Sequence, residues 1–420
     1  MWRTLYTIAL YLALPLVIFR LWWRGRHEPG YRRRVGERFG LYKFAPERAV
    51  LWVHAVSVGE ARAAAPLVRA LREEFAEHDV LITCATAAGR EALKHLYGQS
   101  VLIAWLPYDY PRPVRRFLEH FRPRLGLLME TEIWPNLLAA CRAYAVPLML
   151  ANARLSESSA LGYRRWGGLA RPAFAGLGAV CAQSEADARR LAALGAMNVS
   201  VCGNLKFDVA PDAAKEEEGR AWRAALGRPV LLLASTREGE EKLLLDALAA
   251  APGGFLVVIV PRHPQRFDEL APLASGRRSR GDAPRPGDRV YLGDTMGEMA
   301  FYYAAADVAV VGGSFMPLGG QNLIEACAAG VPVVFGPSMY NFADASRLAL
   351  DAGAAVQARN AAEAVRLALE LLADAERRGL MGEAGRRLCM AHRGAAQKHL
   401  AICRRLLASR TAGVRAPGRD

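Results

Sequence analysis

Short apolar runs recur along the chain, and the stretch after each carries apolar residues at every third or fourth position. In the first half the runs are AVLWVHAV, DVLITCAT, SVLIAWLP, LGLLME, VPLMLAN, GAVCAQ and VSVCGN. Runs that are apolar throughout, without alternating polar positions, belong to strands buried on both faces, and the helical-period stretches between them belong to crossover helices. A parallel sheet covered on both sides is the predicted outcome. The pattern breaks at DVAPDAAKEEEG and resumes with PVLLLAST, GFLVVIVPR, RVYLGD, VAVVGGS, VPVVFGP and AAVQA. Two doubly wound, Rossmann-like α/β domains are therefore expected, over 25–208 and 209–408, with ligands in a central cleft where the carboxyl ends of the strands gather. A length of 420 residues is enough for two cores. Residues 275–289, SGRRSRGDAPRPGDR, have loop composition and read as a mobile, solvated connection, and 409–420 as a disordered tail.

Residues 1–24 stand apart. TLYTIALYLALPLVIF gives 16 uncharged residues between Arg3 and Arg20, flanked by Trp2, Trp22 and Trp23, which suit a membrane interface. No small-residue cleavage site follows, so the segment reads as a retained anchor, either spanning or lying in the membrane plane. The formal net charge is +14, and residues 1–48 hold ten Lys or Arg against three Asp or Glu, 10 − 3 = +7, half of the excess. Basic residues beside an anchor stay cytoplasmic and are drawn to anionic lipid; Arg32, Arg33, Arg34 and Arg38 fit that use. There is no basic stripe interleaved with aromatics, which argues against nucleic acid. Seven scattered cysteines without C-x-x-C fit reduced thiols, not a disulfide framework or a zinc site.

The chain contains no G-x-x-x-x-G-K-[ST], G-x-S-x-G or H-E-x-x-H, and what remains is strand-end glycine and lone charges. Glu60 follows AVLWVHAVSVG and Glu130 follows LGLLM; each reads either as a helix-capping acid or as a carboxylate facing the cleft. Glu132 reads as an ordinary cap for a helix opened by Trp134 and Pro135. In VAVVGGSFMPLGGQNLIEACAAGVPVVFGP, Gly312 and Gly313 end a strand, and Gly319 and Gly320 are expected to open a helix whose first N–H groups, on Gln321 and Asn322, face an anion. Glu325, one turn in, suits ribose hydroxyls or merely the helix dipole. Lys206 in GNLKFD, Pro261, Arg262 and His263 in VIVPRHPQRF, and Met296, Gly297 and Glu298 in GDTMGEM sit at further strand ends. Cations and amide dipoles so gathered suit a nucleotide phosphate and can replace a metal there.

HAVSVGE, ETEIWPN, NARLS, GNLKFD, PRHPQRF, GDTMGE and GGSFMPLGGQNLIEACAAGVPVVFGP, in this order behind an apolar N-terminus, closely resemble the Kdo transferases of lipopolysaccharide assembly. The resemblance implies a GT-B glycosyltransferase that moves 3-deoxy-D-manno-octulosonic acid (Kdo) from CMP-Kdo to a lipid A precursor of the lipid IVA type, with inversion, at the cytoplasmic face of the inner membrane. It implies Glu60 as the base and Glu130 and Lys206 as transition-state helpers. CMP would be contacted by Pro261 and Arg262, by Met296, Gly297 and Glu298, and by Asn322, Leu323, Ile324 and Glu325, with no metal or other cofactor. Gln321 departs from the pattern, since many relatives carry His there. The helix behind Glu60 is expected to hold its pKa low, and a nearby Glu130 to raise it. The rival readings are another membrane-associated GT-B enzyme using a UDP-sugar and a catalytically silent membrane scaffold.

Overall fold

The structure, a computed structural model, describes residues 1–413. The chain forms two compact units, one of Met1–Val209 with the chain from Arg393 onward, the other of Ala210–His392.

In the first unit the strands are β1 (Ala49–His54), β2 (His78–Cys84), β3 (Leu102–Trp105), β4 (Leu125–Met129), β5 (Leu148–Ala153), β6 (Ala179–Ala182) and β7 (Val199–Val201). They form a seven-stranded parallel sheet in the order β3-β2-β1-β4-β5-β6-β7. β4 and β5 are buried along their whole length, as unbroken apolar runs require.

The second unit holds β8 (Val230–Thr236), β9 (Leu256–Pro261), β10 (Gly276–Arg277), β11 (Val290–Leu292), β12 (Val308–Val311), β13 (Val333–Phe335) and β14 (Ala355–Gln357). Its sheet is also parallel and seven-stranded, in the order β10-β11-β9-β8-β12-β13-β14. Every predicted apolar run is a strand. β10 is the addition, and with the 3-10 turn Arg278–Arg280 it corrects the reading of 275–289 as a wet loop for Gly276–Arg280, while 281–289 have no regular structure and are mostly exposed. Arg277 donates to Asp294 at 2.7 Å and Asp268 at 3.1 Å, and Arg278 pairs with Glu298 at 3.2 Å and with Glu218. A two-residue edge strand has no period to read, and its acid partners are far away in sequence.

The expected limits of the second domain also change. The last helix, Ala395–Gly413, leaves it and buries Ala395, Leu400, Ile402 and Cys403 in the core beneath the first sheet. Asp208 fixes its start, accepting from the N–H groups of Gly394 at 2.7 Å and Ala396 at 2.6 Å. The expected tail is thus helical to Gly413, and 414–420 lie outside the described residues. The N-terminal segment is a helix, Trp2–His27, and is the one helix among the described residues long and apolar enough to cross a membrane.

Gly126 shows how closely the first sheet is packed. A Cβ there would lie 2.5 Å from the Leu148 side chain and 2.7 Å from the Trp52 ring, and Trp52 is fixed by a 2.8 Å bond from Nε1 to Thr83 Oγ1 and by Phe117. Gly126→Val is expected to lower stability by about 1–3 kcal/mol, read from the urea midpoint at unchanged slope.

Candidate active site

In a doubly wound sheet the crevice forms where the chain's direction of winding reverses, because the loops leaving two neighbouring strands then part to opposite faces. In the first unit that point lies between β1 and β4, paired with His54 opposite Leu128. The loop after β1 carries Glu60, and Glu130 directly follows β4.

Ser57 caps the short helix Val58–Ala63, its Oγ accepting from Glu60 N at 3.3 Å. The Glu60 carboxylate turns back to accept from Val56 N at 2.8 Å and from the Ser57 hydroxyl at 3.1 Å. This is a variant of the capping box in which the acid takes the N–H of the residue before the cap, so Glu60 does serve its helix. The expected low pKa is overturned. Burial, then the charge of Glu130, push Glu60 from its ordinary 4.5 to about 7, against the two hydrogen bonds. A six-residue helix offers little dipole to offset desolvation of a carboxylate.

Glu130 is buried with its backbone in the left-handed region, at φ 57°. Its N–H donates to Ala151 O at 2.9 Å, so the residue stays tied to β5. Arg154 Nε donates to Oε2 at 2.8 Å, and Lys206 Nζ lies 3.8 Å from Oε1. Lys206 sits in a single 3-10 turn, Leu205–Asp208, pinned by side chains from the ends of β5 and β6. Asn152 Oδ1 accepts from Leu205 N and Asn204 Oδ1 from Lys206 N, both at 3.0 Å, while Asn204 Nδ2 donates to Gln183 Oε1 at 3.0 Å. Burial lowers the Lys206 pKa, and Glu130 opposes this. Arg154 went unread in NARLS because its role depends on a carboxylate 24 residues earlier.

Glu132 is not the cap it was expected to be. It accepts from Trp134 Nε1 at 2.8 Å, and the helix Pro135–Ala143 is capped by Asp109, which accepts from Asn136 N at 3.0 Å and Leu137 N at 2.7 Å. A proline at the first helical position leaves the N–H donors of the next two residues for a partner, and a buried acid from another loop reaches them.

In the second unit the reversal lies between β8 and β12. Glu240, fully buried after β8, accepts from Gly313 N at 2.6 Å, Phe315 N at 2.9 Å and Arg237 N at 2.9 Å, so one carboxylate shapes the glycine loop. The acidic pair in ASTREGEE was the available signal for it. Gly319 and Gly320 do not open a helix. Their φ values of 84° and 74° are left-handed, and the helix begins only at Ile324 and ends at Ala329. Asn322 bridges the gap, with Oδ1 accepting from Ile324 N at 3.1 Å and Nδ2 donating to Glu325 at 2.8 Å. Leu323 and Ile324 are buried. Arg262, directly after Pro261 at the end of β9, donates from Nε to Gln321 Oε1 at 3.2 Å.

Met296 is exposed, Gly297 has φ 83°, and the Glu298 carboxylate is committed to Lys215 at 2.6 Å, Thr295 at 2.6 Å and Arg278 at 3.2 Å. These bonds hold the Glu298 pKa at about 2 against its burial. The first unit thus unites Glu60, Glu130 and Lys206, and the second unites Arg262 with the segment from Gln321 to Glu325, while the Glu298 side chain points into its own ion cluster. Cys181, Cys202 and His399 lie close enough to share an ion, but both ring nitrogens of His399 are engaged, Nε2 with Asn152 N at 2.9 Å and Nδ1 with Ala395 O at 2.7 Å.

The family of 3-deoxy-D-manno-octulosonic-acid transferases matches residues 33–209, and glycosyl transferases group 1 matches 288–388. A 3-deoxy-D-manno-octulosonic acid transferase of Bordetella pertussis is 50% identical over 95% of this chain and 98% of its own. The chain belongs to this Kdo transferase family. A second member, from Haemophilus influenzae, is 35% identical over 95% of this chain and 97% of its own. Among solved structures, a UDP-GlcNAc 2-epimerase from Neisseria meningitidis superimposes with TM-score 0.59, at 16% identity, over 85% of this chain and all of its own, 100%. A glycosyltransferase from Rickettsia africae gives 0.57 at 13% identity over 86% and 99%. At such identities the likeness shows the fold alone, and that fold is GT-B.

For this Kdo transferase the raised pKa of Glu60 has a consequence for stability. Between its ordinary 4.5 and about 7 the folded state holds a proton that the unfolded state releases, so this contribution is full below 4.5 and lost as pH rises through 7. Glu60→Gln, which stays neutral, is expected to gain stability relative to the parent at pH 8 and not at pH 4.5, measured as the difference in urea midpoints.

Proposed function

We propose that the chain transfers Kdo from CMP-Kdo to a phosphorylated, acylated glucosamine disaccharide, a lipid A precursor, with inversion, at the cytoplasmic face of a membrane. The observation that carries this reading is the pair of carboxylates on adjacent strand ends, one neutralised by two cations and the other left poised near neutral pH by burial. A general base is most effective when its pKa lies near the working pH. Glu60 takes the proton of the acceptor hydroxyl as that oxygen bonds to the anomeric carbon of Kdo. The bond from that carbon to the CMP phosphate breaks, its electron pair stays on the phosphate oxygen, and CMP leaves.

Glu130 and Lys206 act on the same step. Glu130 sets the basicity of Glu60 by like charge, and Lys206 offers a desolvated cation to charge developing beside it. In the second unit Arg262 and the backbone around Asn322, Leu323, Ile324 and Glu325 receive the phosphate and ribose, with Pro261 stiffening the strand end. Met296 and Gly297 offer backbone to the base, and Glu298 contributes by fixing that turn, since its side chain is already saturated. Gln321 holds Arg262 in place. These groups stabilise the leaving phosphate without a metal ion.

Mass spectrometry of product from the full chain, CMP-Kdo and lipid A precursor tests donor, acceptor and number of units together. Transfer from a UDP-sugar and not from CMP-Kdo, or inertness with every donor, would reject the reading. Glu60→Ala is expected to bind CMP as the parent does while kcat falls about 10²–10⁴-fold. In the parent, kcat/KM rises with pH through about 7, and in Glu130→Gln this acidic limb moves to lower pH, because removing a negative neighbour favours the ionised base. An unmoved limb would remove Glu130 from the control of Glu60.

A further inference from the structure

The N-terminal helix is joined to the first unit along its length. Trp2 lies where a Cβ on Gly168 would stand. Tyr6 donates its hydroxyl to Asp109 Oδ2 at 3.0 Å, and Thr7 donates to Asn136 Oδ1 at 3.1 Å. Tyr110 donates to Leu10 O at 2.9 Å and packs on Tyr11 with ring centroids 5.1 Å apart. Further along, Leu21 packs against the core, Gly25 is buried against the Arg32 side chain, and Arg24 lies over the Tyr31 ring. From Tyr6 to Gly25 the axis advances about 28 Å, close to the full thickness of a bilayer's hydrocarbon.

A helix docked to one rigid unit at both ends of such a span cannot cross a bilayer unless those contacts break. Breaking them would strip partners from Asp109, which is already committed to capping the helix Pro135–Ala143. The opposite face of the N-terminal helix carries Leu5, Ile8, Leu12, Leu16, Phe19 and Trp23, a stripe at helical spacing, with Leu12 79% and Leu16 67% exposed. On the body, Trp166, two residues before the Gly168 that meets Trp2, is 64% exposed. An exposed apolar band of this length is not left facing water in a monomer. Arg20 and Arg26 on the same helix, and Arg164 and Arg165 beside Trp166, are exposed and add positive charge near it.

We infer that this helix lies in the plane of an anionic bilayer surface, with its apolar stripe and Trp166 at the boundary between headgroups and acyl chains, and does not span the membrane. Aromatic and apolar residues enter the interface by roughly 5–10 Å while the arginines stay among anionic headgroups. Both ends of the helix then lie on the side of the membrane that holds the protein body. The inference is independent of donor and acceptor.

The test uses the full chain in sealed inverted membrane vesicles, with Arg3→Cys and His27→Cys made separately. All seven native cysteines are buried, so a membrane-impermeant maleimide reads the introduced thiol. Both positions are expected to label to within about twofold of each other before detergent is added. If position 3 labels only after permeabilisation while position 27 labels at once, the helix spans and the inference is overturned. As a second measurement, Leu12→Asp with Leu16→Asp changes only exposed side chains and is expected to weaken binding to vesicles of phosphatidylethanolamine and phosphatidylglycerol at least about tenfold, with the thermal midpoint unchanged. Unchanged vesicle binding, with a dimer of the parent chain lost in the variant, would assign the stripe to a second copy and overturn the inference.

Discussion

A carboxylate taken out of water must find positive partners or give up its charge, and the first unit imposes both outcomes on two neighbours. Glu130 has its partners. Arg154 comes from beyond the end of β5 and Lys206 from the turn after β7, and the parallel sheet brings both to the end of β4. Glu60, one strand over, is held by hydrogen bonds from Val56 and Ser57 and faces the charge of Glu130. The same burial therefore leaves one acid paired with two cations and raises the pKa of the other to about 7. Separation of two carboxylates by environment is how a single site assigns them different work.

The second unit solves its electrostatics in the opposite sense. Glu240 is saturated by backbone N–H groups, Glu298 by a lysine, an arginine and a hydroxyl, and Asp294 by Arg277 and Ser279. Its acids are spent on holding loops at the carboxyl edge of the sheet. The glycines Gly313, Gly319 and Gly320 there are left-handed, and Gln321 accepts from the Arg262 guanidinium at 3.2 Å.

Asp109 connects the N-terminal helix to this arrangement. It accepts from Tyr6 and caps the helix Pro135–Ala143, whose preceding segment carries Glu130 and Glu132. Burial pushes its pKa to about 6, against hydrogen bonds that favour the charge. The N-terminal helix and the segment that carries the paired carboxylate thus share one buried acid.

The sequence alone determined the two parallel-sheet domains, because strands buried on both faces must be apolar throughout and crossover helices must repeat at their own period. It also located the carboxyl-end positions where Glu60, Glu130, Lys206 and Arg262 stand, since Glu130 and Arg262 directly follow such a run and Glu60 and Lys206 come within one short turn of it. What it left undecided is what depends on partners distant in the chain. The pKa of Glu60 turns on burial and on a charge 70 positions later. The cap after Pro135 comes from Asp109, Arg277 and Arg278 find acids on other elements, and the last helix returns to the first unit through Asp208 and the core. Local pattern records which residues lie on one face of one element. Only the tertiary structure decides which charges meet, because electrostatic partners are chosen by distance in space, and a single sequence does not encode that distance as a period.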